Sequence, residues 1–142
     1  MDKIIKELKR DLIRKSGAVK RTIKEYISYV KETEKEKEKL EKIKEEKKDE
    51  FEIKRQNDCV YECNGAKISS FQTLKKSYEA LKEFIETTES HDDDEDTRKA
   101  REEIKGLEEF NEAKKHLENA KEVLDKDEAS NAAPEQYAPP NK

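Results

Sequence analysis

Hydrophobic residues recur every three or four positions along most of the chain, and this spacing divides it into three segments. In the first segment the apolar positions are Leu8, Leu12, Val19, Ile23, Tyr26 and Val30, broadened by Ile4, Ile13 and Ile27, with a return at Leu40 and Ile43. A stripe this narrow is typical of helices that pack at shallow angles, as in coiled coils. The pattern predicts a long helix over about residues 2–47, with Asp2 as its N-cap.

The second segment has the same spacing, with polar residues among the apolar ones. Its stripe consists of Ile53, Gln56, Val60, Cys63, Lys67, Phe71, Leu74, Tyr78, Leu81 and Ile85. Asp49 and Glu52 resemble a capping box, which predicts a helix over about residues 50–88. The heptad spacing breaks around Gly65, and we expect a kink or loosened turn there. Residues 45–50 contain no Gly, Pro or Asn, so the sequence also allows one continuous helix through this point.

The third segment follows a polar run, residues 87–96, that contains no apolar residue. Its stripe consists of Ala100, Ile104, Leu107, Phe110, Ala113, Leu117, Ala120 and Leu124. We expect a helix over about residues 95–126 and, because the end is rich in Ala, Asn and Pro, a disordered tail over residues 129–142. The predicted fold is all-α: one domain, residues 1–128, folded as an antiparallel up-down-up three-helix bundle with spectrin-repeat-like, coiled-coil-type packing.

Composition narrows the classes of function. Of the 142 residues, 31% are hydrophobic and 48% charged, which argues against a thick globular core. Three glycines are too few for a Gly-rich phosphate-binding loop. No apolar run approaches the ~20 residues that span a bilayer, and the first residues lack the apolar core of a signal peptide. We therefore expect a cytosolic protein.

Charge is unevenly distributed around a net value of −4. Residues 1–30 carry a net +5, and residues 88–128 a net −8. In an antiparallel bundle, the basic residues 14–24 would face the acidic residues 91–96, so internal neutralisation would account for part of this asymmetry. The basic start has no Trp or Phe to anchor it in lipid, and its cations alternate with Glu7, Asp11 and Glu25. Neither a membrane nor a nucleic-acid partner is expected.

The residues that could carry chemistry form no convincing set. His91 and His116 are far apart in sequence, and abundant carboxylates without a concave site are best interpreted as a solvated surface. Cys59 and Cys63 lie four residues apart, but zinc would need two further ligands, and a disulfide within one helix is geometrically disfavoured. We interpret the two cysteines as small apolar residues near the seam. No catalytic residue, metal site or cofactor is expected, and the chain is not expected to be an enzyme.

Three stretches resemble one known family. They are residues 16–25 (SGAVKRTIKE), residues 29–44 (YVKETEKEKEKLEKIK) and residues 51–56 (FEIKRQ). In this order they resemble the start of the first helix, its Glu/Lys-rich remainder, and the aromatic-led start of the second helix in the tubulin-binding cofactor A family. The likeness extends without gaps over about residues 13–85. The chain departs from the family in having Lys47 and Lys48 where a glycine-containing turn is common, and in lacking a proline near Ile68.

The resemblance implies a function and a set of contact residues. Family members are monomeric three-helix bundles that capture quasi-native β-tubulin after the cytosolic chaperonin, store it and pass it toward assembly with α-tubulin. It also implies other tubulin-folding cofactors as partners and a cytoplasmic, cytoskeleton-associated location. The expected partner-binding residues are Lys20, Arg21, Lys24, Glu25, Lys54, Arg55 and Gln56. For each residue taken singly, solvation of a long helix is an equally good explanation.

A second hypothesis belongs to a different class of protein. The seams could pair between two chains, which would give a structural coiled-coil homodimer that does not bind tubulin. Polar residues at seam positions disfavour a long and tight homodimer. They include Thr33, Lys37, Gln56 and Lys67.

Overall fold

The structure is a computed structural model that describes residues 2–90 and 94–131. These residues form four α-helices and a final 3₁₀ turn, and the described part of the chain contains no β-strand. The elements are α1 (Asp2–Glu45), α2 (Glu50–Ser90), α3 (Glu95–Lys105), α4 (Glu108–Asp127) and the turn Ala129–Asn131. The all-helical class predicted from the sequence is therefore confirmed.

A short turn separates α1 from α2, so the alternative of one continuous helix is excluded. Lys48 N–H donates to the Ile43 carbonyl at 3.2 Å and closes the end of α1. Lys47 has a φ of 54°, in the left-handed region that favours glycine. At the start of α2, Asp49 Oδ1 accepts a hydrogen bond from Glu52 N–H at 3.0 Å, which is half of the predicted capping box.

The second helix runs through Gly65 without interruption, so this glycine marks no break in α2. The segment predicted as a third helix is instead two helices. Gly106 N–H bonds the Glu103 carbonyl and Leu107 N–H the Ile104 carbonyl, and these short-range bonds end α3. The side chain of Asp94 caps α3 by accepting from Thr97 N–H at 2.8 Å, which lowers the pKa of that carboxyl.

The described residues fall into two compact units. The first comprises residues 2–23, 74–90 and 94–125, and the second comprises residues 24–73 and 126–131. The buried hydrophobic residues of the first unit are Leu12, Val19, Leu74, Leu81, Phe84, Ile85, Ala100, Ile104, Phe110, Ala113 and Ala120. Only Ser16, Thr22 and Thr88 are buried polar residues in this unit.

The second unit has a more polar interior. Its buried hydrophobic residues are Tyr26, Leu40, Val60 and Phe71. Its buried polar residues are Thr33, Gln56, Asn64, Lys67, Ser70 and Asn131. Tyr26 packs on Phe71 with ring centroids 5.4 Å apart, and Gln56 reaches Glu36, so α1 and α2 run antiparallel within this unit.

Two details of the predicted seam differ from the structure. Ile13 and Ile27 were expected to broaden the apolar stripe of α1, but they are 49% and 39% exposed. Each follows a fully buried residue, Leu12 or Tyr26, and one helical step turns the side chain by about 100° toward solvent.

The predicted tail begins with an ordered turn. Ala129–Asn131 forms the 3₁₀ turn, and Asn131 is only 4% exposed. The remainder of the predicted tail, residues 132–142, lies outside the described residues, as does most of the histidine-led acidic run, residues 91–93. The expected pairing of residues 14–24 with that run is therefore not described, and Arg14 pairs with Asp11 at 3.1 Å.

Candidate partner-binding surface

Six of the seven residues predicted to contact a partner lie on the surface. Lys20 and Arg21 are exposed on the part of α1 that belongs to the first unit. In the second unit, the exposed residues are Lys24 and Glu25 on α1 and Lys54 and Arg55 near the start of α2.

Gln56 lies in the interior of the second unit. Its side chain is 5% exposed and donates from Nε2 to the Glu36 carbonyl at 2.9 Å and to Glu36 Oε2 at 2.6 Å. The sequence analysis placed this residue both on the apolar seam and among the partner contacts. Its buried position agrees with the first of these predictions. Gln56 joins α2 to α1 and thereby fixes the position of Lys54 and Arg55.

The second-unit residues form two patches. Gln56 bonds Glu36, so Lys54 and Arg55 lie close to the level of Glu36 along α1. Lys24 precedes Glu36 by a little over three helical turns, or about 18 Å of helix axis. A partner that touches both patches must therefore span at least about 18 Å along the helix axis.

Aromatic side chains on the surface are the residues that the sequence reasoning did not select. Phe51 is 82% exposed, Tyr61 40% and Tyr29 37%. Tyr29 borders a depression of about 240 Å³, which brings it together with Glu25 and with Ala66, Ser69, Ser70 and Thr73 of α2. Exposed aromatic residues are common anchors in protein interfaces. The signal was available for Phe51, because it is the first residue of the FEIKRQ stretch.

A buried polar cluster in the second unit is structural. The Tyr26 hydroxyl donates to Asp127 Oδ2 at 2.7 Å and accepts from Asn131 Nδ2 at 2.8 Å. Burial raises the pKa of Tyr26 well above its ordinary value, and the negative Asp127 raises it further. Lys67 is 8% exposed, and burial together with Lys37 lowers its pKa. The bond between Tyr26 and Asp127 ties the end of α4 to α1.

The cysteines lie half-buried as free thiols in the same unit. Burial raises the pKa of the Cys63 thiol, and the negative charges of Glu32 and Glu36 add to the effect. A protonated thiol is a poor nucleophile and a poor metal ligand. Within residues 2–90 and 94–131, no group of three or more His, Cys, Asp or Glu side chains is arranged to hold a metal ion.

None of the described helices combines the length and hydropathy that a membrane span requires. The accessible features on these helices are charged patches and exposed aromatic side chains. Of these, aromatic side chains are the type that is enriched in protein–protein interfaces.

Comparison with known proteins assigns the family. Residues 7–104 match the family described as Tubulin binding cofactor A. "Tubulin-specific chaperone A" of Rattus norvegicus is 31% identical over 87 residues, which cover 61% of this chain and 81% of the relative. The proteins of the same name from Mus musculus and Homo sapiens are each 30% identical over the same shares of both chains. No solved structure matches the chain.

The fold is all-helical in the part of the chain that the structure describes. The chain belongs to the tubulin-binding cofactor A family. Its curated relatives are named as chaperones and not as enzymes.

Proposed function

We propose that the chain is a β-tubulin-binding folding cofactor. It captures quasi-native β-tubulin after the cytosolic chaperonin, stores it and passes it toward assembly with α-tubulin. The observation that supports this proposal is the family match over residues 7–104, which includes all three stretches that resemble family motifs. The cofactor acts in the cytoplasm, in association with the cytoskeleton and with other tubulin-folding cofactors. It binds its partner without catalysing a reaction.

The proposal includes a fold and an oligomeric state. The chain acts as a monomer, and its helices follow an up-down-up order in which α3 and α4 together serve as the third helix. The antiparallel pairing of α1 and α2 in the second unit supports this order, as does the burial of Ala100, Ile104 and Phe110 in the first unit.

The proposed tubulin-contacting residues are Lys20, Arg21, Lys24, Glu25, Lys54 and Arg55, with Gln56 as an internal support for the last two. All six surface residues are exposed. Basic side chains on a partner surface accelerate association with an acidic protein, and their contribution weakens as salt screens the charges. We therefore expect capture of β-tubulin to weaken as ionic strength rises.

The first test is the mass of the complex. Size-exclusion chromatography with light scattering is run on the protein alone and with β-tubulin released from chaperonin. The proposal predicts a monomer that shifts to a one-to-one complex. A stable dimer that ignores β-tubulin would replace the proposal with the structural coiled-coil function.

A second test locates the surface. The triple variant Lys20→Glu, Arg21→Glu, Lys24→Glu should lose at least about tenfold in affinity, because three rim charges change sign. The matched control is Lys31→Glu, Lys35→Glu, Lys39→Glu, which makes the same change in net charge at three exposed lysines further along α1. Circular dichroism checks that both variants keep wild-type helicity. Equal capture by the two variants would remove Lys20, Arg21 and Lys24 from the proposed surface.

A further inference from the structure

The first turns of α1 carry a continuous basic surface that is distinct from the contacts proposed above. Lys3, Lys6, Arg10 and Arg14 are all exposed, and Ile13 among them is 49% exposed. These five residues are called the N-terminal basic face.

Helical geometry only partly separates the charges that alternate in the sequence. A single residue turns a helix by about 100°, so Asp11 lies beside the cations rather than among them, whereas Glu7 is four residues from Lys3 and three from Arg10 and borders both on the helix surface. Lys3, Lys6, Arg10 and Arg14 share one side of α1. This side is opposite the one that buries Leu12 and Val19, which are 0% exposed.

Most of these cations lack an acidic partner. In residues 2–90 and 94–131, neither Lys3, Lys6 nor Arg10 makes an ion pair, whereas Arg14 contacts Asp11 at 3.1 Å. Uncompensated neighbouring cations repel one another, and an anionic ligand relieves that repulsion.

An apolar feature lies within the basic surface. A shallow depression of about 460 Å³ is lined by Lys6, Lys9, Arg10, Ile13 and Arg14. Long basic side chains cover apolar surface with their methylene stems and keep the charge in water. The depression therefore offers an apolar floor at Ile13 surrounded by positive charge.

We propose that the N-terminal basic face binds an extended acidic segment of a partner protein. Its carboxylates pair with Lys3, Lys6 and Arg10, and one apolar side chain of the segment packs on Ile13. From Lys3 to Arg14 the helix rises about 17 Å, which matches about five residues of extended chain. The site is independent of whether the partner is tubulin, and so it goes beyond the proposed function.

The same observations disfavour the other anionic partners. The N-terminal basic face has no aromatic side chain on which a nucleic-acid base could stack. Ile13 alone offers little apolar area for insertion into a lipid surface. A short acidic peptide is narrow enough to contact one side of one helix.

Fluorescence anisotropy of the full chain with a labelled synthetic peptide of about eight residues, rich in Glu with one central Leu, tests the proposal directly. The control peptide has Gln in place of every Glu. We expect saturable binding of the Glu peptide that weakens at least tenfold when salt is raised from low to near-physiological concentration, and no binding of the Gln peptide. Equal binding of both peptides, or of neither, would overturn the proposal.

Variants place the binding on the proposed side chains. Lys6→Glu with Arg10→Glu should weaken binding of the Glu peptide at least tenfold, and Ile13→Ser should weaken it about threefold. The matched control, Lys75→Glu with Lys76→Glu, changes two exposed lysines of α2 and should bind as wild type does. Circular dichroism confirms that each variant is folded. Wild-type affinity of the Lys6/Arg10 variant would refute the site.

A vesicle assay separates peptide binding from lipid binding. Vesicles that contain about one-third phosphatidylserine should not compete with the Glu peptide, and competition at a comparable affinity would assign the face to lipid instead. Because no tubulin is present in these assays, they can fail while β-tubulin capture succeeds, and the converse also holds.

Discussion

Tyr26 illustrates how one side chain serves both packing and polarity. Its ring packs on Phe71, while its hydroxyl joins Asp127 to Asn131. The side-chain oxygen of Asn131 is the one buried side-chain polar atom without a hydrogen-bond partner in the described residues. The network already leaves one acceptor unsatisfied, so the loss of a further hydrogen bond should lower the free energy of unfolding.

Replacement of the Tyr26 hydroxyl is therefore expected to lower stability. Tyr26→Phe keeps the ring but removes the donor to Asp127 Oδ2 and one acceptor of Asn131 Nδ2, which still donates to the Asp127 carbonyl at 2.9 Å. The change should cost about 1–2 kcal/mol of unfolding free energy. Urea unfolding followed by circular dichroism measures the change. Tyr29→Phe removes the hydroxyl of a tyrosine that is 37% exposed, and this control should unfold as wild type does.

Lys67 gives a prediction of the opposite sign. Burial lowers its pKa, so the charged form is disfavoured in the folded state, and Lys67→Met should raise the unfolding free energy by about 1 kcal/mol near neutral pH. Between the lowered pKa and about pH 10 the unfolded chain binds more protons than the folded one, so wild-type stability rises with pH there.

The advantage of the Lys67→Met variant should consequently shrink across that alkaline window. Denaturant melts of both proteins at a series of pH values measure it. Lys75→Met, at an exposed position of the same helix, should change little at any pH. A Lys67→Met protein that is less stable than wild type at neutral pH would show that attraction to Asp127 outweighs burial.

Individual seam residues could be predicted where the spacing was unambiguous, and less well where two apolar residues adjoin. Leu12, Val19 and Tyr26 were assigned to the interior and are buried. Ile13 and Ile27 were assigned beside them, because residue type alone does not say which of two neighbours faces inward. Gln56 received two incompatible assignments, since the amide can satisfy a buried carbonyl or an external partner equally well.

At the level of helices, the sequence predicted the start of α3 but missed its end. The polar run over residues 87–96 indicated where α3 starts, and Asp94 caps this helix. The end of α3 at Gly106 was not predicted, because the apolar spacing continues from Ile104 through Leu107 to Phe110 across the break. Gly65 was the stronger candidate for a break, yet α2 is continuous there.

Gly65 should therefore tolerate a side chain. The glycine is exposed, and a methyl group added there has no neighbouring atom within 4 Å. Gly65→Ala should raise stability by about 1 kcal/mol, because alanine is the better helix former. Thermal and urea unfolding measure the gain, and a loss of stability would show that α2 needs the conformational freedom of glycine at this point.

The turn before α2 offers a second test at the level of elements. Lys47 has a left-handed backbone with a φ of 54°, and Lys47→Gly should relieve that strain and stabilise the protein by about 0.5–1 kcal/mol. Lys48 has no positive φ. Lys48→Gly is the matched control and should be neutral or destabilising, because glycine there only adds freedom to the unfolded chain.

On the scale of the whole molecule, the described residues form two compact units with different interiors. The first unit buries eleven hydrophobic and three polar residues among those described, and the second buries four hydrophobic and six polar. The polar seam positions Gln56 and Lys67 were visible in the sequence. The sequence did not show what these polar residues do, because a seam with polar members can be either a weak dimer interface or a hydrogen-bonded interior.

The difference in burial predicts a difference in local stability. Apolar burial supplies most of the free energy that protects amides from hydrogen exchange. Opening of the second unit should therefore cost less free energy than opening of the first. In native-state hydrogen exchange, the amides of α1 beyond Lys24 and of α2 up to Thr73 should exchange faster than those of the first unit. Equal protection throughout would mean that the two units open together.

The bonds of Tyr26 also bear on how the protein is made. Its hydroxyl partners lie 101 and 105 residues further along the chain, beyond the segment that matches the family. On the ribosome, α1 and most of α2 emerge before those partners, so the bonds of Tyr26 can form only after the last part of the chain has been made. A truncated polypeptide that ends after the family segment, at about residue 104, lacks both partners of the Tyr26 hydroxyl and cannot form this network.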